Sequence, residues 1–461
     1  MKITRTIFRS GWLAAALVLS TCGKKTIAPA RATPMEPAAF WVWHRSSPLK
    51  PADSASLGKA GVRSLYWQAA ECGWEDGRWK TTRISPPMAD DKDLEIIPVF
   101  RIKPGSAFLG SPNAARLLAG EIHAWSDRSP PPGDIQIDFD CPVRLLDSYA
   151  RFLKSFGVEI APARVSITAL ASWPQHAGFR ELALSVKSLV PMFYDLEADA
   201  AEDVMENRFH PMADDKVAEW MLSWADCPRP WLAGLPNFER LSVFESDGRL
   251  IGHLRGWEHD PVFFNCNMNA RALGNGTTIF HAEKPVMLYG TEITPERKLV
   301  HRTCDPQAIL KLAEQAGKSG ASGILYFALP GPGIQAALTP DHLVGAARHA
   351  QASPVLDIAG NGTVTFKNPG PFDVQAGRWE LELSTDHAGA FLSCQPGGFV
   401  ESETPGGLPA ELATTVILRF SKLPSGAAIT SGPVIRNAAG IKWKLREALE
   451  KNIPSRNDFA R

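Results

Sequence analysis

Eight short runs rich in β-branched and aromatic residues, separated by helical patterns, predict an α/β fold: a (β/α)8 barrel of the TIM type. They occupy residues 40–44, 63–69, 95–102, 135–140, 165–171, 190–196, 231–238 and 323–329. After Gln351 the texture changes to brief alternating runs broken by Gly, Pro and Asn, which predicts a small all-β sandwich behind the barrel. A hydrophobic fraction of 44% over 461 residues is enough for two cores.

The N-terminus reads as an address. Lys2, Arg5 and Arg9 precede an apolar run over residues 11–19, too short to span a bilayer, and Ser20, Thr21 and Cys22 follow. Leu19-Ser20-Thr21-Cys22 resembles a bacterial lipobox, so residues 1–22 are expected to be a signal peptide ending in a lipidated Cys22. Residues 23–39, rich in Lys, Ala, Pro and Thr, are expected to be a flexible tether. The chain is then exported and held in the envelope by a lipid anchor, its one link to a membrane; periplasmic residence or plain secretion is the alternative. Of the seven cysteines, six remain for an oxidising compartment, and none forms a CxxC pair, so a zinc or redox motif is not expected. Most are expected to be solitary buried thiols.

The barrel is expected over residues 40–350. Its best helix is 143–156, where Leu145, Leu146, Tyr149, Phe152, Leu153 and Phe156 recur at helical spacing against an outer face of Arg144, Asp147, Arg151 and Lys154. Ser111-Pro112, Asp305-Pro306 and Thr339-Pro340 announce three further helix starts by a capping residue followed by proline. Residues 72–94 are expected to form a long loop carrying Trp74 and Trp79, and residues 239–303 a partly β-like insertion between the seventh and eighth strands. A doubly wound open sheet is the alternative, but no glycine-rich phosphate turn follows an early strand. The sandwich is expected over residues 355–440, with strands at 363–366, 379–383, 390–393 and 414–420. Residues 441–461 form a charged tail, with a final helix expected over 441–451.

Function has to come from a local site, because Lys plus Arg equals Asp plus Glu at 49 each, which gives no electrostatic reason to bind nucleic acid. The fourth run supplies a candidate. In Asp134-Ile135-Gln136-Ile137-Asp138-Phe139-Asp140, polar and apolar residues alternate strictly, so one face of the strand is a row of mostly acidic side chains. Strands of a parallel sheet are buried on both faces, and a polar row there calls for a reason beyond folding. Asp138 and Asp140 are expected to project inward near the strand's end. Two carboxylates this close do not both ionise cheaply, so one is expected to hold a proton near neutral pH, as a general acid requires. Protonation of a glycosidic oxygen is the reaction such a pair suits.

Other strand ends add expected contacts to a ligand: Glu71 on the second, Arg101 on the third, Trp173 on the fifth and Asn237 on the seventh, with Trp43 on the first. Arg101 also suits the role of a buried partner to the aspartates, with Glu71 pairing to it in turn. Indole faces such as those of Trp43 and Trp173 stack on sugar rings as well as filling cores.

Gln136-Ile137-Asp138-Phe139-Asp140-Cys141-Pro142 resembles the fourth-strand signature of family 18 glycoside hydrolases, the chitinase-like enzymes, D-x-D-x-E. In register, Gln136 stands at the middle aspartate, Asp138 at the last aspartate and Asp140 at the acid glutamate. Met192-Phe193-Tyr194-Asp195 is similar to the M-x-Y-D motif on the sixth strand of that family. The resemblance implies Asp140 as acid, Asp138 as the residue orienting a substrate N-acetyl group that itself attacks, and Tyr194 with Asp195 shaping the subsite. The chain lacks the family's S-x-G-G on the third strand and its Trp on the eighth. With Trp41-Val42-Trp43-His44-Arg45 and Ile167-Thr168-Ala169-Leu170, it also resembles an uncharacterised family of exported bacterial proteins, domain of unknown function 3142, over residues 40–331.

The expectation is therefore an envelope-tethered glycoside-hydrolase-like barrel with a carbohydrate ligand and no cofactor or metal. The alternatives are a non-catalytic glycan-binding lipoprotein and a metal-assisted deacetylase using the aspartates.

Overall fold

The computed structural model describes residues 38–448 except residues 44, 46–47, 50, 85–93, 127–131, 213–215, 255–267, 275, 331–337, 345–353, 370–373, 375–376 and 424–426. Cys22 and the leader lie outside the described residues. The first part of the chain alternates strands and helices: β1 (Ala38–Val42), α1 (Pro51–Ala60), β2 (Ser64–Glu75), β3 (Arg78–Arg83), β4 (Glu95–Ile102), α2 (Ala114–Trp125), β5 (Asp134–Asp138), α3 (Leu146–Glu159) and β6 (Arg164–Leu170). It continues with α4 (Phe179–Leu184), β7 (Ser188–Met192), α5 (Ala201–Met205), α6 (Lys216–Leu222) and β8 (Leu232–Pro236).

After an insertion, α7 (Pro306–Lys318) and the last barrel strand, here β16 (Gly323–Phe327), complete the pattern, followed by α8 (Pro340–Leu343). The insertion itself holds β9 (Glu239–Phe244), β10 (Leu250–Leu254), β11 (Met268–Gly274), β12 (Thr277–Ala282), β13 (Val286–Leu288), β14 (Thr291–Ile293) and β15 (Lys298–Thr303). Parallel pairing runs β1-β2-β4-β5-β6-β7-β8-β16 and back to β1, so eight strands close a barrel.

Alternation along β5 decides what faces the lumen. Ile135, Ile137 and Phe139 turn outward into the layer shared with Leu118 and Ile122 of α2 and Leu146, Tyr149 and Leu153 of α3. Phe139 lies edge-on to Phe108 at 5.1 Å and to Tyr149 at 5.3 Å. The barrel interior is filled by Ala39, Trp41, Trp43, Tyr66, Ile97, Val99, Val190 and Leu325, and the polar row of β5 runs up one side of it.

Asp134, the deepest of that row, belongs to the barrel floor. Its carboxylate takes Arg164 Nη2 at 2.6 Å and Lys187 Nζ at 2.9 Å, from the starts of the next strands, and is 8% exposed. Removing its charge takes from two half-exposed cations the carboxylate they share. Asp134→Asn is expected to cost about 1–3 kcal/mol of stability with turnover unchanged; thermal unfolding beside an activity assay measures both, and a loss of turnover at unchanged stability would count against a floor role.

Several expected elements differ. Residues 72–94 are not one loop: β2 continues to Glu75 and pairs antiparallel with β3. The hairpin turns at Asp76-Gly77, both with positive φ, the pair that a tight primed turn demands. The helix expected from Ser111-Pro112 begins at Ala114, because a short 3-10 turn, Ala107–Gly110, occupies the chain before it. Asp305 does cap α7, its Oδ1 accepting the Gln307 N–H at 3.0 Å, and α8 starts at Pro340.

The described residues of the insertion form a five-stranded antiparallel sheet, β10-β9-β15-β12-β11, with the separate hairpin β13–β14. Behind the barrel come β17 (Val355–Ile358), β18 (Thr363–Lys367), β19 (Trp379–Ser384), β20 (Glu401–Glu403), β21 (Thr415–Phe420), β22 (Ala428–Pro433) and β23 (Lys442–Glu447). They form two antiparallel sheets, β17-β18-β22 and β20-β21-β19-β23, sharing a core of Val364, Phe366, Leu381, Leu383, Phe399, Val416, Leu418 and Phe420. The run at 390–393 contributes a single bridge, Phe391 to Ile435, instead of a strand. The expected final helix is β23, paired with β19. Its charges alternate with Trp443 and Leu445, so Arg446 meets Glu380 and Glu382 of β19 while Leu445 packs on the core and Trp443, still exposed, lies edge-on to Phe366.

The described cysteines, Cys72, Cys141, Cys227, Cys304 and Cys394, are free thiols, and the first, second and fourth are buried. Among the described residues no helix is long and apolar enough to cross a membrane.

Candidate active site

A cleft of about 440 Å³ opens at the C-terminal ends of the barrel strands, where the polar row of β5 emerges. Asp138 and Asp140 lie in its wall with Arg101 of β4, Thr168 of β6, Tyr194 and Asp195 beyond β7, and an aromatic lining of Trp41, Trp43, Phe238, Phe327 and Trp220.

Asp138 is held from two sides. Thr168 donates its hydroxyl to Oδ1 at 2.8 Å, and Arg101 Nε stands 3.8 Å from Oδ2. The side chain is only 13% exposed. Burial and the neighbouring charge of Asp140 push its carboxyl up to about 6, against the opposing pull of Arg101 and Thr168. Asp138 is thus the member of the pair that keeps a proton close to neutral pH, and Asp140, exposed to the cleft, is the one a ligand meets.

This arrangement carries a stability signature. The folded chain holds the Asp138 proton more tightly than the unfolded chain, so the group's contribution is full below the unfolded carboxylate value and is lost as pH rises through about 6. Asp138→Asn is therefore expected to be more stable than the wild type above that pH, by on the order of 1–3 kcal/mol, with the difference gone by about pH 4. Thermal melts of both proteins across pH check it; a constant difference would rule out titration of Asp138 as the cause.

Tyr194 is packed between Phe327, stacked at 5.8 Å, and Phe238, edge-on at 5.8 Å. Burial, with the charges of Asp138, Asp195 and Asp140, drives its hydroxyl well above the ordinary tyrosine value, so it stays a neutral donor. Asp195 has a left-handed φ of 50°. Arg240, at the start of β9, grips both of its oxygens, Nη1 reaching Oδ1 at 2.9 Å and Nη2 reaching Oδ2, while the guanidinium lies 5.0 Å from the Phe238 ring.

The same face of the insertion holds the rest of the segment after β7. Lys298 donates to the carbonyls of Val204 and Met205 at the end of α5, and Arg302 pairs with Asp199 at 2.8 Å. Gly248 has φ +84°, and a Cβ there would meet the Ala201 carbonyl oxygen at 2.2 Å.

Of the residues expected at the site, Asp138, Asp140, Tyr194, Asp195, Arg101 and Trp43 line the cleft. Four do not. Gln136 is fully buried one layer below, its Oε1 accepting Trp41 Nε1–H at 2.8 Å. Glu71 is drawn toward Lys103, 4.0 Å away, while Arg101 turns to Asp138, so the expected Arg101–Glu71 pair is replaced by two others. Trp173 is fully buried in the layer outside the barrel, edge-on to Tyr149, because the chain turns into a 3-10 segment immediately after β6. Asn237 is an internal tie: its Nδ2 donates to the carbonyls of Ala328 and Leu338, and its Oδ1 accepts the Leu338 N–H.

Sequence reasoning missed Thr168, Trp41, Trp220 and Arg240. Thr168 and Trp41 had a signal, since each shares an inward register with a residue already singled out. Trp220 and Arg240 come from a helix and an insertion strand, and no strand-end pattern reaches them. Among the described residues, no group of three or more His, Cys, Asp or Glu side chains is placed to hold a metal ion.

No family model matches the chain, and no curated protein matches it. Among solved structures, the chain is similar to the spore cortex-lytic enzyme SleL of Bacillus megaterium QM B1551, with 13% identity over 66% of this chain and 72% of that one and a TM-score of 0.42. It is also similar to a glycoside hydrolase family 18 N-acetylglucosaminidase from Paenibacillus barengoltzii, with 10% identity over 63% and 94% and a TM-score of 0.42. A family 18 chitinase from Cycas revoluta, solved in complex with (GlcNAc)3, is similar at 13% identity over 63% and 94%, with a TM-score of 0.40.

Proposed function

We propose that this chain binds a glycan in the mouth of its barrel and cleaves a glycosidic bond there, with Asp140 as the acid and Asp138 as the partner that stores its proton. The observation that carries the reading is the Asp138/Asp140 pair on one inward row, opening into a cleft walled by aromatic rings, with Asp138 protonated up to about pH 6. Aromatic faces hold the apolar side of a sugar ring, and a carboxyl pair that shares a proton supplies acid to a poor leaving group. Asp140 delivers the proton to the glycosidic oxygen as the bond to the anomeric carbon breaks. Water supplies the oxygen that the carbon takes in exchange and returns a proton to the pair. Asp138, fixed by Thr168 and Arg101, sets how readily Asp140 regains it. Tyr194 offers a neutral hydroxyl to the reacting sugar. Asp195, saturated by Arg240, holds that wall in shape.

The same pairing supports a second reading. Asp138 and Asp195 are both engaged by arginines, which leaves Asp140 as the cleft carboxylate with no ion pair among the described residues, and one such group suits a glycan-binding barrel without turnover. Incubating the protein with defined oligosaccharides and measuring both binding and new reducing ends separates the two. Binding with cleavage supports the hydrolase, binding without cleavage supports the lectin-like alternative, and neither would remove the glycan reading.

We further propose that the chain is exported and anchored through lipid on Cys22, on the strength of the charged and apolar leader. Cys22→Ala is expected to move the protein from the membrane fraction to the soluble one; retention on the membrane would exclude that anchor.

A further inference from the structure

The charged side chains in the lining of the cleft are Arg101, Asp138, Asp140, Asp195 and Arg240. Two of them cancel, because Arg240 grips both oxygens of Asp195. Asp138 keeps its proton up to about 6 even with Arg101 beside it. That leaves the carboxylate of Asp140 and the guanidinium of Arg101 as the charges that face a ligand.

Arg101 is fixed at the end of β4, in register with Asp138 of β5, and 39% of its side chain is exposed. Its ion pair with Asp138 runs from Nε to Oδ2 at 3.8 Å, too long for a hydrogen bond, and its side chain donates no hydrogen bond to any described residue. A guanidinium offers five donors in a rigid fork, the planar match to a carboxylate. Lys103 continues the row past the end of β4, half exposed and loosely paired with Glu71 at 4.0 Å. A cationic row on one strand thus runs beside the acidic row on the next.

We propose that the cleft takes an acidic glycan, with Arg101 receiving the carboxylate of a uronate unit while Asp140 meets the adjoining glycosidic oxygen. The inference rests on the glycan reading above and adds the charge of the sugar. Aromatic faces hold the rings but do not tell a uronate from its neutral counterpart, and Arg101 supplies that discrimination. An anion in the same cleft also favours the protonated form of Asp140, the form an acid needs.

The test titrates matched pairs calorimetrically into the full-length protein at about pH 5, where a uronate is ionised. One pair is the glucuronic acid tetramer of cellulose linkage and cellotetraose; the other is tetragalacturonate and its methyl ester. In at least one pair the wild type is expected to bind the acidic member about 10-fold or more tightly than the neutral one. Raising the salt to about 0.5 M is expected to shrink that preference. Arg101→Gln is expected to bring the ratio close to one, and Arg101→Lys, which keeps the charge and loses the fork, to leave part of it. A wild type that binds the neutral members as tightly as the acidic ones would overturn the inference and leave the glycan reading standing, as would an acidic preference that survives Arg101→Gln. Failure to bind any of the four would instead strike the glycan reading, and this inference with it. Melting temperatures identify a variant that has lost its fold; if that is Arg101→Gln, an undiminished preference in Arg101→Lys overturns the role of Arg101.

Discussion

Asp140→Asn is expected to lower turnover of the cleaved glycan by about 10²–10⁴-fold while its affinity stays close to that of the wild type. The substitution keeps the volume and hydrogen-bonding reach of the side chain and removes only its ability to carry and deliver a proton. Asp140 is exposed and faces the cleft, so the exchange does not disturb the core. The pH profile adds a second readout. Asp138 holds a proton up to about 6, so wild-type turnover is expected to fall as pH rises past that value, when Asp138 loses that proton and proton supply fails. In Asp138→Asn this limb is expected to move, because the carboxyl that sets it is gone. Kinetics of the three proteins from about pH 4 to pH 9 measure both effects. Undiminished turnover in Asp140→Asn would remove that residue from the chemistry, whatever the pH profile.

The polar row was legible because a strand's period of two is rigid: once Ile135, Ile137 and Phe139 are assigned to the helical layer, Gln136 and Asp138 have only the lumen to face. Position along the strand was legible too, which put Asp138 and Asp140 at the mouth and Asp134 at the floor. What a strand-end position does not say is whether its side chain meets ligand or protein. Asn237 satisfies three main-chain groups and Trp173 fills a layer outside the barrel, and both roles depend on loops that close behind them. The Asp76-Gly77 turn was readable, and the loop reading of 72–94 passed over it. Arg240 was not readable in the same sense, since its place against Asp195 depends on long-range contacts of the insertion, such as those with residues 199–207.

That dependence makes a distant ion pair matter to the cleft. Lys422→Met is expected to destabilise the protein by about 3 kcal/mol, the cost of taking the lysine from a buried carboxylate that keeps only a histidine contact besides it. Glu239 opens β9, directly before Arg240, and its carboxylate is wholly buried, reached by Lys422 Nζ from the C-terminal sheets at 3.5 Å and by His301 Nε2 at 3.4 Å. Burial works against the carboxylate, but the charge of Lys422 and the bonds from His301 and Lys422 outweigh it and hold Glu239 below the usual carboxylate range. The stability this contributes is present above the unfolded carboxylate value and is lost as pH falls through the folded one. In Lys422→Met the buried carboxylate keeps its His301 contact but loses the lysine charge, so the loss is largest at neutral pH and shrinks on acidification, as Glu239 takes up a proton. Adding Glu239→Gln to Lys422→Met is expected to recover most of the melting temperature, since the double variant no longer strands a charge. Melts of the single and double variants across pH test this, and a double variant as unstable as Lys422→Met would mean that packing, not charge, sets the cost. Because Arg240 follows Glu239 in the chain, the single variant is also expected to loosen the grip on Asp195 and weaken ligand binding, linking the C-terminal sheets to the mouth of the barrel through one buried carboxylate.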